Sequence, residues 1–126
     1  MLAFVPHFNG HRWLEQCLES LARQSRPPDA IVVVDDHSAS SPAQIVGRFD
    51  GVTFLRASTN VGPYRLLQQI VRDTDCDAYL LQDADDWSAC DRLSLLLGAA
   101  EASGAEVVGC QELRVMDDDA RLLPVS

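Results

Sequence analysis

Three carboxylates stand within four positions at Asp83, Asp85 and Asp86, one residue beyond the apolar run 78–81. Carboxylates this close repel one another, and a divalent cation that prefers oxygen ligands, Mg²⁺ or Mn²⁺, relieves the repulsion. If the run is a strand of an α/β sheet, the cluster lies at its carboxyl end, where such sheets bind ligands. The pattern therefore predicts a metal site, with a solvated acidic turn as the alternative.

Two more polar segments follow apolar runs, namely residues 6–9 after the run 2–5 and Asp35-Asp36 after the run 30–34. If strands one, two and four are parallel neighbours, their carboxyl ends converge and bring these segments to the acidic cluster. An aromatic ring and a carboxylate can hold a base by stacking and by accepting its N–H, while a metal neutralises a diphosphate. The chain contains no G-x-x-x-x-G-K-[ST] motif, so we expect a nucleotide-diphosphate site without a P-loop.

The elements that must position these residues alternate between strand and helix along the chain. This order predicts one α/β domain over residues 1–126, with a mostly parallel sheet in three layers and helices on both faces. Strands are expected at 2–5, 30–34, 52–55, 78–81 and 107–110. Helices are expected from 10 to about 24, from 42, from 63 to about 73 and from 88 to about 103. A hairpin is expected from 113–116 and 121–125.

Individual residues sharpen these expectations. Pro6 is expected to break the first strand, and Ser88 to cap the fourth helix together with Asp91. Cys17 and Cys110 fall in apolar patterns typical of small core residues. The four cysteines form no C-x-x-C pair, which argues against a zinc site.

Composition excludes several classes of function. The net charge is −9 and all ten basic residues are Arg, so a nucleic-acid-binding surface is not expected. No apolar run approaches the length of a membrane span. Free thiols and the lack of a signal peptide predict a cytoplasmic location, in solution or peripheral at a membrane.

Six short motifs occur in the order in which family 2 glycosyltransferases carry them, and they cover nearly the whole chain. Residues 5–9 resemble the V-P-x-[YF]-N opening, and residues 18–24 resemble the L-x-S-[LIV]-x-x-Q helix end. Residues 33–38 are similar to V-D-D-x-S, and residues 60–62 to N-x-G. Residues 83–86 are similar to D-x-D-D, and residues 91–93 to D-R-L.

The resemblance implies a GT-A fold and transfer of a sugar, with inversion, from a nucleotide-diphosphate donor to an acceptor saccharide, lipid or protein. It favours a UDP-sugar, assisted by Mn²⁺ or Mg²⁺, with Asp85 as the first candidate metal ligand and Asp86 as the second. Asp83 or Asp85 would face the ribose and sugar. Arg65 could supply a positive charge where the motif after N-x-G departs from the family. The residues implied in nucleotide-sugar binding are Pro6, His7, Phe8, Asn9, Asp35, Asp36, Asn60, Arg65, Asp83 and Asp85.

The family's catalytic base normally lies in an acceptor half that follows the donor-binding part. We expect that half, and with it the base, to be missing here, and a base among Asp117, Asp118 and Asp119 is the weaker alternative. One rival function is a catalytically silent module that binds a nucleotide sugar or a protein. Another is a receiver-like phosphoacceptor domain using Asp36 and Asp83, against which the absence of Lys argues.

Two side chains keep two interpretations each. His37 could be a metal ligand or base, but a loop histidine bonded to backbone is the favoured interpretation. Trp87 either lines the acceptor side of the site or packs against the fourth helix.

Overall fold

The computed structural model describes residues 1–112, 114–115 and 122–123. The chain forms two compact units, Met1–Leu93 and Ser94–Ser126. The first unit holds strands β1 (Leu2–His7), β2 (Ala30–Asp35), β3 (Val52–Arg56) and β4 (Tyr79–Leu81), with helices α1 (His11–Ala22), α2 (Ala43–Val46) and α3 (Pro63–Asp73). Helix α4 runs over Arg92–Ser103, and the short strands β5 (Arg114–Val115) and β6 (Leu122–Leu123) follow it.

The main sheet has the strand order β3-β2-β1-β4, and all its pairs are parallel. β1 lies between β2 and β4, as the expected convergence of the three strand ends requires. The register pairs His7 with Asp35, so these two residues end their strands side by side. The parallel α/β prediction is therefore confirmed.

Pro6 does not break β1, which continues to His7. β1 pairs with β4 only over Leu2–Phe4, and beyond Phe4 its ladder partner is β2 alone. Because no β4 residue lies opposite Pro6, its missing N–H costs no ladder bond on that side. The strand therefore carries its backbone two residues further toward the polar edge than the sequence indicates.

Alternating residues of β1 and β2 face two helical layers. On one face, Leu2, Phe4, Val32 and Val34 pack with Leu66 and Ile70 of α3 into one buried cluster. Successive side chains of a strand point to opposite faces, so Ala3, Val5 and Val33, all fully buried, face the other layer. There α1 supplies the buried stripe Leu14, Cys17, Leu18 and Leu21. The sheet is thus covered on both faces, as predicted.

Ser88 does not cap α4, because the helix begins four residues later at Arg92. The Ser88 hydroxyl instead donates to Gln82, and its N–H donates to the Ser20 hydroxyl at 3.0 Å. The first turn of α4 is capped from a distant element: the Gln24 side-chain oxygen accepts the Leu93 N–H at 3.0 Å. The capping-box prediction is therefore wrong, because the Ser88 N–H and hydroxyl donate to residues outside α4.

The second unit differs from the sequence prediction at residues 107–110, which form no strand. Val107 is 90% exposed, and Cys110 is exposed rather than a core residue, whereas Cys17 is buried as predicted. β5 and β6 pair antiparallel, in agreement with the predicted hairpin, whose Asp117–119 turn lies outside the described residues. Across the described residues, every helix is too short or too polar to cross a membrane.

Candidate functional site

A cavity of about 290 Å³ opens at the carboxyl ends of β1, β2 and β4. Pro6, His7 and Phe8 line it from the end of β1, and Asp36 lines it from the end of β2. Asp83 and Asp85 line it from the segment after β4. The cavity thus brings together six of the residues that the sequence singled out from three separate stretches. The remaining wall comes from Gly10, Trp13, Pro63 and Ala84.

His7 and Asp35 form a buried pair beneath the cavity, with the His7 Nδ1 2.8 Å from the Asp35 Oδ1. The Gly10 N–H donates to the His7 Nε2 at 3.1 Å, so Nε2 is the acceptor and Nδ1 carries the proton that Asp35 accepts. His7 is therefore a neutral imidazole of fixed tautomer, with its ring held between the strand end and the start of α1. This buried role was not foreseen from the sequence.

Ser38 completes the environment of Asp35. Its hydroxyl donates to Asp35 Oδ1, and its N–H donates to Oδ2 at 3.2 Å. The Arg56 guanidinium lies 3.5 Å from Oδ2. Burial by itself raises the pKa of Asp35, but the hydrogen bonds from Ser38 and His7 outweigh it and lower the pKa below its ordinary value. Asp35 is thus an ionised structural carboxylate that lies behind the cavity wall.

Asp36, the next residue, faces the cavity and also binds the two residues that precede α3. Its Oδ1 accepts the Val61 N–H and its Oδ2 accepts the Gly62 N–H, both at 2.8 Å. Gly62 has φ 89°, a left-handed conformation that glycine adopts without strain. Each carboxylate oxygen keeps a further lone pair, so Asp36 can still accept a hydrogen bond from a ligand.

The other predicted nucleotide contacts take different positions. Asn9 lies beside the cavity and ties two loops together, since its N–H donates to the Ser38 hydroxyl and its side chain accepts the Ala39 N–H. Asn60 donates to the Asp36 carbonyl at 3.1 Å. Arg65 is exposed on α3 and does not line the cavity.

The positions of two further side chains bear on the site. His37 is exposed, and its Nδ1 lies 3.3 Å from the Ala57 carbonyl oxygen, as the loop interpretation predicts. Trp13 also lines the cavity, although it is not among the site residues that the sequence singled out. Its position three residues after Gly10, in the first turn of α1, places it on the same side of the helix. That spacing is the signal that could have identified it.

The acidic turn offers a set of metal ligands. Asp83, Asp85 and Asp86 are exposed, and each offers a carboxylate oxygen such that the three atoms lie within 4.8 Å of one another. Hard oxygen ligands in this number suit Mg²⁺ or Mn²⁺, which usually keep several waters and add substrate phosphate oxygens. The donor set therefore fits the expected cation, with Asp83 and Asp85 on the cavity side and Asp86 outside the lining.

A buried polar network holds this turn from below. Gln82, 5% exposed, donates from its side-chain nitrogen to the Asp86 carbonyl at 3.4 Å and to the Ser20 hydroxyl at 3.2 Å. The Cys17 thiol donates to the Asp83 carbonyl at 3.5 Å. Burial raises the pKa of Cys17 to about 11, so the thiol stays protonated and able to donate. Both ends of the acidic turn are thus fixed by side chains from the core.

The charge around the cavity is one-sided. Asp36, Asp83 and Asp85 line it, and no described lining residue carries a positive side chain. The charged side chains that a polyphosphate would meet among the described lining residues are all carboxylates, so it would need a cation to bind.

Known structures share this architecture. Staphylococcus aureus TarS 1-349, solved in complex with UDP, superposes with a TM-score of 0.73 at 22% identity over 88% of this chain and 38% of that one. Its complex with UDP-GlcNAc gives the same TM-score and identity over 36% of that chain. The mannosyltransferase PcManGT from Pyrobaculum calidifontis, solved with GDP-Man and Mn²⁺, gives 0.70 at 24% identity over 79% of this chain and 31% of that one.

These likenesses show the GT-A type of fold, and the chain spans less than two fifths of the length of these proteins. No curated protein sequence matches the chain significantly. The family model described as "Glycosyl transferase family 2" matches residues 3–125, which is nearly the whole chain. This chain therefore belongs to glycosyl transferase family 2.

Proposed function

We propose that the chain is the donor-binding part of an inverting, metal-assisted glycosyltransferase, and that its cavity takes the nucleotide diphosphate of an activated sugar. The observation that carries this proposal is the joint placement of Asp36, Asp83 and Asp85 with an aromatic side chain in one cavity at the strand ends. The family assignment supports the same function, and two similar structures contain nucleotide sugars.

The nucleobase is assigned to the side of the cavity formed by the ends of β1 and β2. Phe8, 55% exposed, offers a ring for stacking, and Asp36 offers a carboxylate that is held in place by two backbone N–H groups. Because this hydrogen-bond acceptor is already held rigidly, little conformational entropy is lost when a ligand binds to it. Asp35 serves this arrangement indirectly by fixing His7 and the Ser38 loop.

The diphosphate is assigned to the acidic side. Asp83, Asp85 and Asp86 would hold the divalent cation, which when bound supplies the positive charge that stabilises the departing nucleotide diphosphate. Asp85 is the central ligand in this proposal, since it belongs to both the ligand set and the cavity wall.

The test is calorimetric titration of UDP, GDP, TDP and CDP with and without Mn²⁺, on the unchanged chain and on Asp85→Asn. We expect one nucleotide, UDP first, to bind only with the metal, and the variant to lose at least about tenfold in affinity. Loss of one ligand from a three-carboxylate set weakens metal binding, and the exposed turn can still fold.

Asp50→Asn is the matched control, because Asp50 is an exposed carboxylate ahead of β3 and outside the cavity. Equal metal-dependent affinity in Asp85→Asn and in the unchanged chain would contradict the assignment of the metal. Binding of no nucleotide by the folded chain would contradict the donor site itself. Sugar transfer is a separate question, since the base that an inverting reaction needs is assigned to none of the described residues.

A further inference from the structure

A second cavity, of about 260 Å³, lies in the same compact unit, between α1 and the segment that follows the acidic turn. Its helical wall is formed by Gln16, Glu19, Ser20 and Arg23, which recur at the spacing of one face of a helix. Its other wall is formed by Trp87, Ser88 and Cys90. None of these seven residues lines the first cavity.

The segment that forms the second wall is anchored along α1 and the residues after it. The Ser88 N–H donates to the Ser20 hydroxyl at 3.0 Å, and the Gln24 side-chain nitrogen donates to the Ala89 carbonyl at 2.7 Å. The Ser25 N–H donates to the Cys90 carbonyl at 2.7 Å. Three hydrogen bonds, one to each of the consecutive residues 88–90, fix the position of this wall against the helical one. The cavity is therefore preformed, as small-molecule sites usually are.

Trp87 is the aromatic member of this cavity and is 49% exposed. The more exposed Tyr64, at 86%, lines neither cavity, which sets Trp87 apart from an aromatic side chain that simply faces water. A half-open indole offers a flat apolar face beside polar groups. The C–H face of a pyranose ring is a natural match for such a surface, because its hydroxyls remain free at the ring edge.

The polar lining fits hydroxyl groups. In the part of the chain that the structure describes, the side chains of Gln16, Glu19 and Arg23 make no hydrogen bond or ion pair. Glu19 can only accept, Arg23 can only donate and Gln16 can do both, and a sugar hydroxyl serves all three. One carboxylate and one guanidinium leave the cavity without net charge, so neither a phosphate nor a metal cation is favoured there.

We propose that this second cavity binds a neutral saccharide, stacked on Trp87 and hydrogen-bonded by Gln16, Glu19 and Arg23. Resting on the proposed function, we assign this saccharide to the acceptor. Trp87 directly follows Asp86, so the cavity begins one residue beyond the proposed metal ligands. A bound acceptor would thus be held next to the segment that carries the donor's cation.

The two tryptophans of the chain make a direct test possible, since Trp13 lines the first cavity and Trp87 the second. In Trp13→Phe, tryptophan emission, excited selectively over tyrosine, comes from Trp87 alone. Glucose, N-acetylglucosamine, mannose and galactose are titrated, with glycerol as a hydroxyl-bearing control that has no ring. We expect a saturable change in emission for at least one sugar and none for glycerol.

A second readout uses the unchanged chain, and so does not depend on the folding of Trp13→Phe. Alkylation of the exposed Cys90 by iodoacetamide should slow with the same sugar, while alkylation of the exposed Cys110 serves as the reference. Arg23→Gln should weaken sugar binding about tenfold. Glu15→Gln, on the same helix but outside the cavity, should leave it unchanged.

Absence of both the emission change and the Cys90 protection for every sugar would overturn the proposal. The donor site is followed separately in Trp87→Phe, where UDP with Mn²⁺ should change the emission of Trp13. A sugar response without a nucleotide response would refute the proposed function and leave a saccharide site, whereas the reverse result would refute only the saccharide site.

Discussion

At the residue scale, Asp35 shows how a buried charge is stabilised when every partner is a donor. Its two oxygens receive hydrogen bonds from His7 and twice from Ser38, and Arg56 lies close by. Hydrogen bonds to a charged group contribute about 1.5–3 kcal/mol each in proteins. The two adjacent carboxylates thus have different positions, since Asp35 supports the strand ends and Asp36 faces the cavity.

Asp35→Asn is expected to lower the free energy of unfolding by about 2 kcal/mol at pH 7, because its amide group would turn an N–H toward the Ser38 N–H. The lowered pKa of Asp35 sets the pH dependence. Its contribution is fully present above the ordinary carboxyl pKa and is lost as the pH falls through the lowered folded value. The difference between the two proteins should therefore be constant above about pH 5 and shrink below about pH 4.

Urea unfolding over this pH range measures the effect, with Asp50→Asn as the exposed control. A stability difference that stays constant into strong acid would mean that the Asp35 carboxyl has the same pKa in the folded and unfolded chain.

At the scale of elements, Gln24 joins three parts of the chain. Its nitrogen donates to the Ser20 carbonyl at 3.1 Å and to the Ala89 carbonyl at 2.7 Å, and its oxygen caps α4 at Leu93. Ser20 and Gln24 occupy the serine and glutamine positions of the L-x-S-[LIV]-x-x-Q motif at residues 18–24. This motif therefore holds the segment after the acidic turn against α1.

Gln24→Met keeps the length of the side chain but removes both kinds of hydrogen bond. The Leu93 N–H and the Ala89 carbonyl then lose a partner, and the unfolding free energy should fall by about 2 kcal/mol or more. Hydrogen exchange at the Leu93 amide should accelerate beyond what this loss of global stability explains. Gln44→Met, at an exposed position of α2, is the control, and equal exchange at Leu93 in both variants would refute the capping role.

The sequence predicted the strands of the main sheet, the burial of Cys17 in α1 and the span of α3, because each has its own local pattern of apolar residues. It failed where a distant partner decides the outcome. Ser88 reads locally as a helix cap but bonds to Gln82 and Ser20, the latter 68 positions away. Val107 and Cys110 lie in a β-like run that forms no strand, since periodicity alone gives no partner strand.

The same division holds for the site. The carboxylates of the cavity were predicted from their places at strand ends, and the parallel strand order brings them together. The burial of His7 was not predicted, since it depends on the register that sets His7 opposite Asp35. For Trp87, the sequence left open whether it lines the acceptor side of the site or packs against the fourth helix. The cavity beside it was not predicted, because its walls come from segments more than 60 positions apart.

At the scale of the whole molecule, a net charge of −9 means that any added salt screens repulsion within the folded chain. Stabilisation by bound Mn²⁺ must therefore be compared with stabilisation by ionic strength alone. Mn²⁺ bound only by the folded chain should stabilise it by about 2.7 kcal/mol at roughly 100 times the dissociation constant. The melting temperature should rise by several degrees, more than in NaCl of equal ionic strength, and should return after EDTA is added. In Asp85→Asn, only the ionic-strength effect should remain, and an unreduced Mn²⁺ effect would place the cation elsewhere.

Among the described residues, the main sheet ends at β4, a strand of three residues whose last residue, Leu81, is half exposed. An edge of this kind invites pairing with another molecule. Here it is flanked by the exposed carboxylates Asp75, Asp77 and Asp83, which would repel a second copy. Solubility at this edge therefore depends on charge: acid, or a large excess of the cation that the site is proposed to use, would neutralise the carboxylates and favour aggregation.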